Sequence, residues 1–337
     1  MVNIMPMTLA EMKVGMSDKV TQQVVDTFIR HSEILELLPF DNCVSPSGGS
    51  TLTYGYVQKK LPSATAFRAI NSEYAPSQAT VEKKSVDLKV FGGAFEIDRV
   101  IKQAEGMYNN MAYQMEEKIL SAIGTFHNAM INGDASVDEN SFDGLDKFLV
   151  GQSTEYNAGG SFINLTTMED LKQNADVFYE ALLKLINSTG AHAIMCNGDM
   201  KTKIQTVARI LGYKTESEEA FGRTITTIGE NKVRIIDLKN AVVMYGEPEM
   251  PEERPVIGID PATGCTDIYA VKFGVNDGFH GVTLTGNNAI SQYQPDFNTP
   301  GAVKRGEVEM VACVALKNVK SAGVLRNIKI GIVEGKE

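Results

Sequence analysis

Residues 107–130 read MYNNMAYQMEEKILSAIGTFHNAM, and this stretch decides what kind of molecule the chain builds. Met107, Met111, Met115, Ile119, Ile123, Phe126 and Met130 recur at steps of three and four, the spacing of one face of an α-helix. Asn109, Asn110, Gln114, Glu117, Ser121 and Asn128 take the other side, and Asn132-Gly133 supplies a stop. About 27 residues at 1.5 Å each make a rod on the order of 40 Å long, more than a usual globular helix reaches. The spacing predicts an architectural beam with the rest of the chain arranged around it.

Working upstream, the pattern changes from period 3.6 to period 2. Leu52, Tyr54 and Tyr56 alternate with Thr51, Thr53 and Gly55, and a second run from Val81 places Val86, Leu88 and Val90 between Ser85, Asp87 and Lys89 before ending near Ile97. The two runs read as one long hairpin. A polar stretch from Lys59 to Thr80, with Pro62 and Pro76, separates them and is longer than most hairpin loops, a length that marks a functional segment. A two-stranded hairpin is marginal alone, so its apolar side needs a cover. Before it, Ser17 caps a short helix with Val20, Val24 and Phe28 on one face, and Pro46-Ser47-Gly48-Gly49-Ser50 breaks the chain, so residues 1–48 read as an arm.

Downstream, an acidic loop leads to Phe142-Asp143-Gly144-Leu145 and an α/β pattern follows. Thr167, with Asp170 three residues on, caps a helix carrying Leu171, Ala175, Phe178, Leu182 and Leu185 and ending near Gly190. Ala191–Cys196 is a short buried strand, and Asn197 caps a second helix with Met200, Ile204, Val207 and Leu211. Strands are expected at 233–238, 241–245, 255–259, 267–273 and 307–316. There is no internal repeat.

The 337 residues carry 43% hydrophobic side chains and a net charge of −10, enough chain for a large core and too acidic for a dedicated nucleic-acid reader. Met1-Val2-Asn3-Ile4 has neither the basic segment nor the apolar stretch of a secretion signal, so a soluble protein made in a cytoplasm is expected. Cys43, Cys196, Cys265 and Cys313 lack CxxC spacing and His31, His127, His192 and His280 stand far apart, so no metal, cofactor or catalytic residue is expected from them. Phosphate-cradle, nucleophile-elbow and zinc-protease motifs are absent. The loop Asp134–Asp143 fails as a calcium loop, because starting the register at Asp138 puts Phe142 where an oxygen is needed and Asp143 where glycine belongs.

Charge is distributed unevenly. Lys59, Lys60, Arg68, Lys83 and Lys84 make the hairpin region basic, whereas Glu247, Glu249, Glu252, Glu253, Asp260 and Asp267 face Arg254 alone in an acidic stretch. The sharper reading is a subunit interface, with one copy's basic hairpin on the acidic surface of the next, where complementary charge sets register more than affinity.

An arm with a helix, a long hairpin, a very long helix, an Asn-Gly stop, the loop ending Phe142-Asp143-Gly144-Leu145 and then an α/β region: this order resembles the major capsid proteins of tailed phages with the Hong Kong 97-like fold. Phe221–Asp237, with Thr226-Thr227-Ile228-Gly229, and the tail Val311–Leu316 through Val324–Ile328 are similar to that family's closing segments. The resemblance implies an α+β fold, with an N-arm at 1–48 and an E-loop hairpin at 49–98. It implies a peripheral domain with a spine helix at 99–149 and 304–337, and an axial domain at 150–303. It also implies self-assembly into hexamers and pentamers of an icosahedral virion shell around double-stranded DNA, put together in the host cytoplasm with a portal protein at one vertex. About sixteen residues precede the arm helix, so a separate scaffolding protein is expected. No lysine–asparagine crosslink is expected, because Lys59 and Lys60 have no identifiable asparagine or glutamate partner. Gly48-Gly49 and Gly92-Gly93 flank the hairpin as hinge candidates. An encapsulin compartment is the alternative within the same fold. A soluble α/β enzyme using Asp199, His192 or Cys265 is the alternative outside it, and it lacks a nucleophile–base constellation.

Overall fold

The computed structural model describes residues 32–43, 52–61, 63–74, 76–104, 110–159, 162–213, 216–220, 223–229, 231–245, 250–284 and 290–331, with backbone alone at 59–61, 110, 216–220, 223, 224, 243–245 and 250. The expected arm helix from Ser17 and the Gly48-Gly49 pair lie outside these residues.

The beam is present as helix α3 (Asn110–Asn132) after two one-turn helices, α1 (Glu33–Leu37) and α2 (Arg99–Gln103), and before a third, α4 (Leu145–Leu149). Its 23 residues make a rod of about 35 Å. The apolar stripe Met115, Ile119, Ile123, Phe126 and Met130 is buried throughout. Phe126 is the hub of that face: its ring lies 6.2 Å from Phe40, 6.2 Å from Phe91 and 6.0 Å from Phe142, joining arm, sheet and loop to the helix.

Two sheets pack around this helix. In the first, the fourteen-residue strand β16 (Val303–Leu316) pairs antiparallel along one edge with β4 (Lys89–Asp98). Along its other edge it pairs with β15 (Ile290–Tyr293) and then β14 (Phe279–Thr283), and β1 (Phe40–Asn42) adds in parallel beyond β14. This corrects the single long hairpin expected from residues 81–97. The run breaks at Leu88: β3 (Thr80–Asp87) pairs with β2 (Thr53–Leu61), whereas β4 leaves that ribbon and joins the body. The change of partner is marked by a shift of phase, from the apolar run Val86, Leu88 and Val90 to Phe91, Phe95 and Ile97 one position out of step, with Val90 exposed and Phe95 and Ile97 buried.

Gly92 and Gly93 therefore lie inside a paired strand, opposite Glu309 and Val308. A Cβ at Gly92 would fall 2.0 Å from the Val308 carbonyl oxygen, so glycine is required there by close approach of backbones. The change of sheet falls at Leu88, which is buried.

The second sheet runs β5 (Glu155–Tyr156), β17 (Ala322–Lys329), β13 (Cys265–Val271), β7 (Ala193–Cys196), β10 (Val233–Asp237), β9 (Arg223–Ile228) and β8 (Glu216–Ala220), with β6 (Ile163–Asn164) also on β17. Both faces of its strands β17, β13, β7 and β10 are largely buried, and alternation divides them between two cores. On β7, Ile194 and Cys196 pack under helices α5 (Met168–Thr189) and α6 (Gly198–Ile210), while Ala193 and Met195 face the core that holds α3. The caps fall where local chemistry places them: Thr167 and Asp170 form a reciprocal capping box on α5, and the Asn197 side chain accepts from Met200 N–H at the start of α6. The expected strand 255–259 is displaced. The pairing strand is β12 (Met250–Pro255), which joins β11 (Asn240–Tyr245) in a separate ribbon, and its prolines are tolerated because it has one partner only. That ribbon crosses α3 at Gly124, where a Cβ would meet the Ala241 Cα at 3.2 Å.

Where the arm enters, Ser32 Oγ accepts from Leu35 N–H to cap α1 and also hydrogen-bonds His127 Nε2 on α3 at 2.8 Å. Burial, followed by the nearby positive Lys239, pulls the His127 pKa down to about 4. The fold thus favours neutral imidazole, whereas the unfolded chain titrates near 6.5. Stability from this site is complete above pH 6.5 and drains as pH falls toward 4, by up to about 3 kcal/mol. His127→Gln, which keeps a partner for Ser32 but cannot titrate, is expected to flatten urea-midpoint dependence across that window; an unchanged slope would refute the assignment.

Candidate subunit interface

The hairpin region predicted to mediate self-association is built from β2 and β3, closed at its base by Thr53 Oγ1 donating to Asp87 at 2.7 Å. One face of that base is docked on the chain's own body. The Tyr54 hydroxyl donates to Asp41 Oδ2 at 2.6 Å and its ring stands edge-on to His280 at 5.8 Å. Gln58 Nε2 donates to the Leu316 carbonyl at 3.3 Å, and Tyr56 is buried. Burial and the bond to Asp41 raise the Tyr54 hydroxyl well above the usual tyrosine range. Burial alone would raise Asp41 too, but the Tyr54 hydroxyl, the Asn42 N–H and Lys317 together bring it below the ordinary carboxylate value. The expectation that the hairpin's apolar side awaits a neighbour is thus corrected for its base: Tyr54, Tyr56 and Leu88 are covered by the same chain. Farther out, Val57 and Val81 are exposed.

Beyond the ribbon, the connecting loop is exposed from 63 to 74, and Phe67 and Ile70 stand out at 108% and 92% of full exposure. Arg68, expected to offer its charge to a partner, is turned inward on this loop. Its Nη1 donates to the Ala69 and Ser72 carbonyls at 3.3 and 3.2 Å, and its guanidinium lies 5.2 Å from the Tyr74 ring centre.

The other basic residues divide between two faces. Lys83 is opposite Val57 and Lys84 opposite Tyr56, so the two point to opposite sides of the ribbon, and Lys84 lies 3.4 Å from Glu82. Lys59 and Lys60 belong to β2, with side chains outside the described residues.

On the acidic side, Glu247 and Glu249 lie outside the described residues. Glu252 and Glu253 are exposed on β12, the first accepting from Arg254 at 2.8 Å and the second from Asn240 at 3.0 Å. Asp260 closes its own turn through Thr263 and Ala262. Asp267 is half-buried, its side chain 27% exposed. It accepts from Arg326 Nη1 at 2.9 Å in a half-buried cluster where the same guanidinium also meets Asp146 at 2.7 Å and Glu155 at 2.5 Å. Burial raises the Asp267 pKa despite that guanidinium. In the acidic loop, Asp134 and Asp143 converge on Lys147.

The residues considered for catalysis do not converge. His192 precedes β7 and bonds Val271 at one end of β13, while Cys265 begins β13 at the other end, about 20 Å away by strand rise. Among the described residues no group of His, Cys, Asp and Glu is arranged to hold a metal, and no helix is long and apolar enough to cross a membrane. Cys196, Cys265 and Cys313 are buried free thiols and Cys43 is half-buried.

An exposed ribbon and loop, a spine helix and two sheets packed around it define a Hong Kong 97-like capsid fold of the α+β class, and the solved structures that match the chain over its length have that fold. The holo-SrpI encapsulin complex from Synechococcus elongatus PCC 7942 matches with TM-score 0.59 at 10% identity, over 99% of this chain and 100% of that one. A structure of Mycobacterium phage Bobi gives 0.55 at 9% identity, over 96% and 99%. The capsid of a native GTA particle gives 0.52 at 11%, over 93% and 94%. No protein-family model and no curated protein matches the sequence.

Proposed function

We propose that the chain is a structural shell subunit, the major capsid protein of a tailed phage. In this role it self-assembles into hexamers and pentamers of an icosahedral virion shell enclosing double-stranded DNA. The observation that carries this reading is end-to-end likeness to capsid structures combined with a ribbon and loop whose outer apolar residues have no cover among the described residues. In that reading residues 1–48 are the N-arm and 49–98 the E-loop, with 53–87 as its projecting part. Residues 99–149 and 304–337 form the peripheral domain and 150–303 the axial domain. A separate scaffolding protein and a portal complete the assembly, and packaged DNA is enclosed without being read.

Charge on the ribbon then speeds and registers subunit encounter. Reversing Lys59, Lys60, Lys83 and Lys84 to Glu is expected to slow assembly by about tenfold or more at low salt, with the gap narrowing as salt screens it. Light scattering of variant and parent at two ionic strengths measures this; identical time courses would remove the electrostatic role.

A second reading, an encapsulin compartment, is favoured by the encapsulin match over the whole of both chains. Negative-stain images of the purified chain, with and without a co-expressed scaffold, test the shell itself, and a persistent monomer counts against both readings. The contents of particles separate the two: nuclease-protected double-stranded DNA supports the phage shell, a co-purifying enzyme the compartment.

A further inference from the structure

The loop between β2 and β3 carries two large apolar side chains at nearly full exposure, and it is not loosely held. Ser72 N–H bonds the Ala69 carbonyl at 3.2 Å to close a turn, and Asn71 takes the left-handed conformation, φ 67°, at the third position, as a type II turn demands. Arg68 clamps both carbonyls of that turn while lying over Tyr74, and Ala64 N–H bonds Ser77 Oγ at 3.0 Å to tie the two limbs together. Phe67 and Ile70 flank the clamp. An apolar pair held in shape before docking is the arrangement of an interface anchor, because little ordering entropy remains to be lost on binding.

We infer that Phe67 and Ile70 form a preset knob that inserts into the groove beside α5 of a second copy of this chain. The inference rests on the shell reading and names the seat of the loop. Among the described residues, the cavities along α3 and β12 are ringed by charge, Glu33, Glu117, Lys118, Asp237 and Lys239 in one and Asp199, Asp237 and Glu253 in the other. The groove beside α5, about 370 Å³, is lined mainly by Tyr156, Phe162, Ile163, Val177, Ala181 and Leu325. Phe162 and Val177 are 53% and 58% exposed there, and the nearby Lys184 ammonium is drawn over the Tyr156 ring at 5.1 Å. A second copy is the fitting partner because the basic ribbon that carries the knob belongs to a chain of net charge −10, whose other surfaces attract it.

Arg68 accordingly acts as a positioning residue for the knob. Arg68→Lys keeps the charge but loses the flat guanidinium that lies over Tyr74 while its Nη1 reaches two carbonyls, so it is expected to impair assembly as much as Arg68→Ala. A lysine variant that assembles normally would refute the clamp. The F67S/I70S double variant is expected to raise the critical concentration for assembly by about a hundredfold while leaving the thermal melt of the subunit unchanged, since neither residue is packed. Mixing Phe67→Cys chains with Val177→Cys chains and oxidising should yield a disulfide-linked heterodimer in assembled particles. Three outcomes decide it. Parental shells with unimpaired double-variant shells overturn the knob alone. Impaired assembly without the heterodimer overturns the seat beside α5. A parent that never assembles overturns the shell reading, and the knob with it.

Discussion

Phe126→Ala is expected to lower the stability of the isolated subunit by about 3–5 kcal/mol, the range for deleting a fully buried ring. Phe126 has no exposed surface, and its partners come from distant parts of the chain: Phe40 from β1, Phe91 from β4 and Phe142 from the loop after α3. Each is fixed by its own backbone, Phe40 by pairing with Gly281 and Phe91 by pairing with Met310, so the void cannot close by collapse of one neighbour. Urea unfolding should show a lower midpoint with an unchanged slope. A loss below about 1 kcal/mol would mean that the ring does not hold arm, sheet and helix together.

Arg326→Met should cost a similar amount for an electrostatic reason. One guanidinium meets Asp146, Glu155 and Asp267, and Tyr269 also donates to Asp146 at 2.9 Å. Removing the cation leaves three carboxylates facing one another in a partly desolvated site, which by analogy with broken buried pairs costs about 3–5 kcal/mol. The pH dependence distinguishes this from lost packing. Burial already raises the Asp267 pKa against the pull of Arg326, and without that pull it rises further. A group whose folded pKa lies above its unfolded value favours the fold when protonated, so the deficit of the variant should shrink as pH falls below neutrality. A deficit constant between pH 7 and pH 5 would reduce Arg326 to a packing role. Arg326→Lys is expected to recover only part of the loss, because a point charge cannot fork toward three acceptors.

The parts of the fold legible in the sequence are those whose cause is local. The stripe Met115–Met130, the capping box at Thr167 and Asp170 and the cap at Asn197 depend on residues within one or two turns, and each lies where the spacing places it. Sheet partners were not legible. The apolar positions of residues 81–97 slip by one between Val90 and Phe91, close to Leu88 where the ladder changes hands, but nothing in β4 reveals that β16, more than two hundred residues later, is its mate. The same limit shaped the candidate interface. Counting charge offered Arg68 and Asp267 to a partner, but Arg68, though exposed, is bonded to its own loop and half-buried Asp267 to Arg326, partners that sequence distance or turn geometry hides. Phe67 and Ile70 were passed over, although a signal existed: two large apolar residues between Pro62 and Pro76 in a polar stretch with no core to enter.

β16, at the centre of the first sheet, and β17, which joins β5 and β6 to the second, come from residues 303–329, and every strand they pair with precedes them in the chain. While a ribosome is still making the first 300 residues, the first sheet lacks its middle member, β5 and β6 have no link to the second, and β4 has nothing to zip against. Closure of the body is a late, long-range event, slow by contact order and exposed to misassembly until it happens. In the proposed shell, a fragment cut short before β16 cannot complete the body that other copies would dock on, so premature termination products would be excluded from the lattice by their own topology.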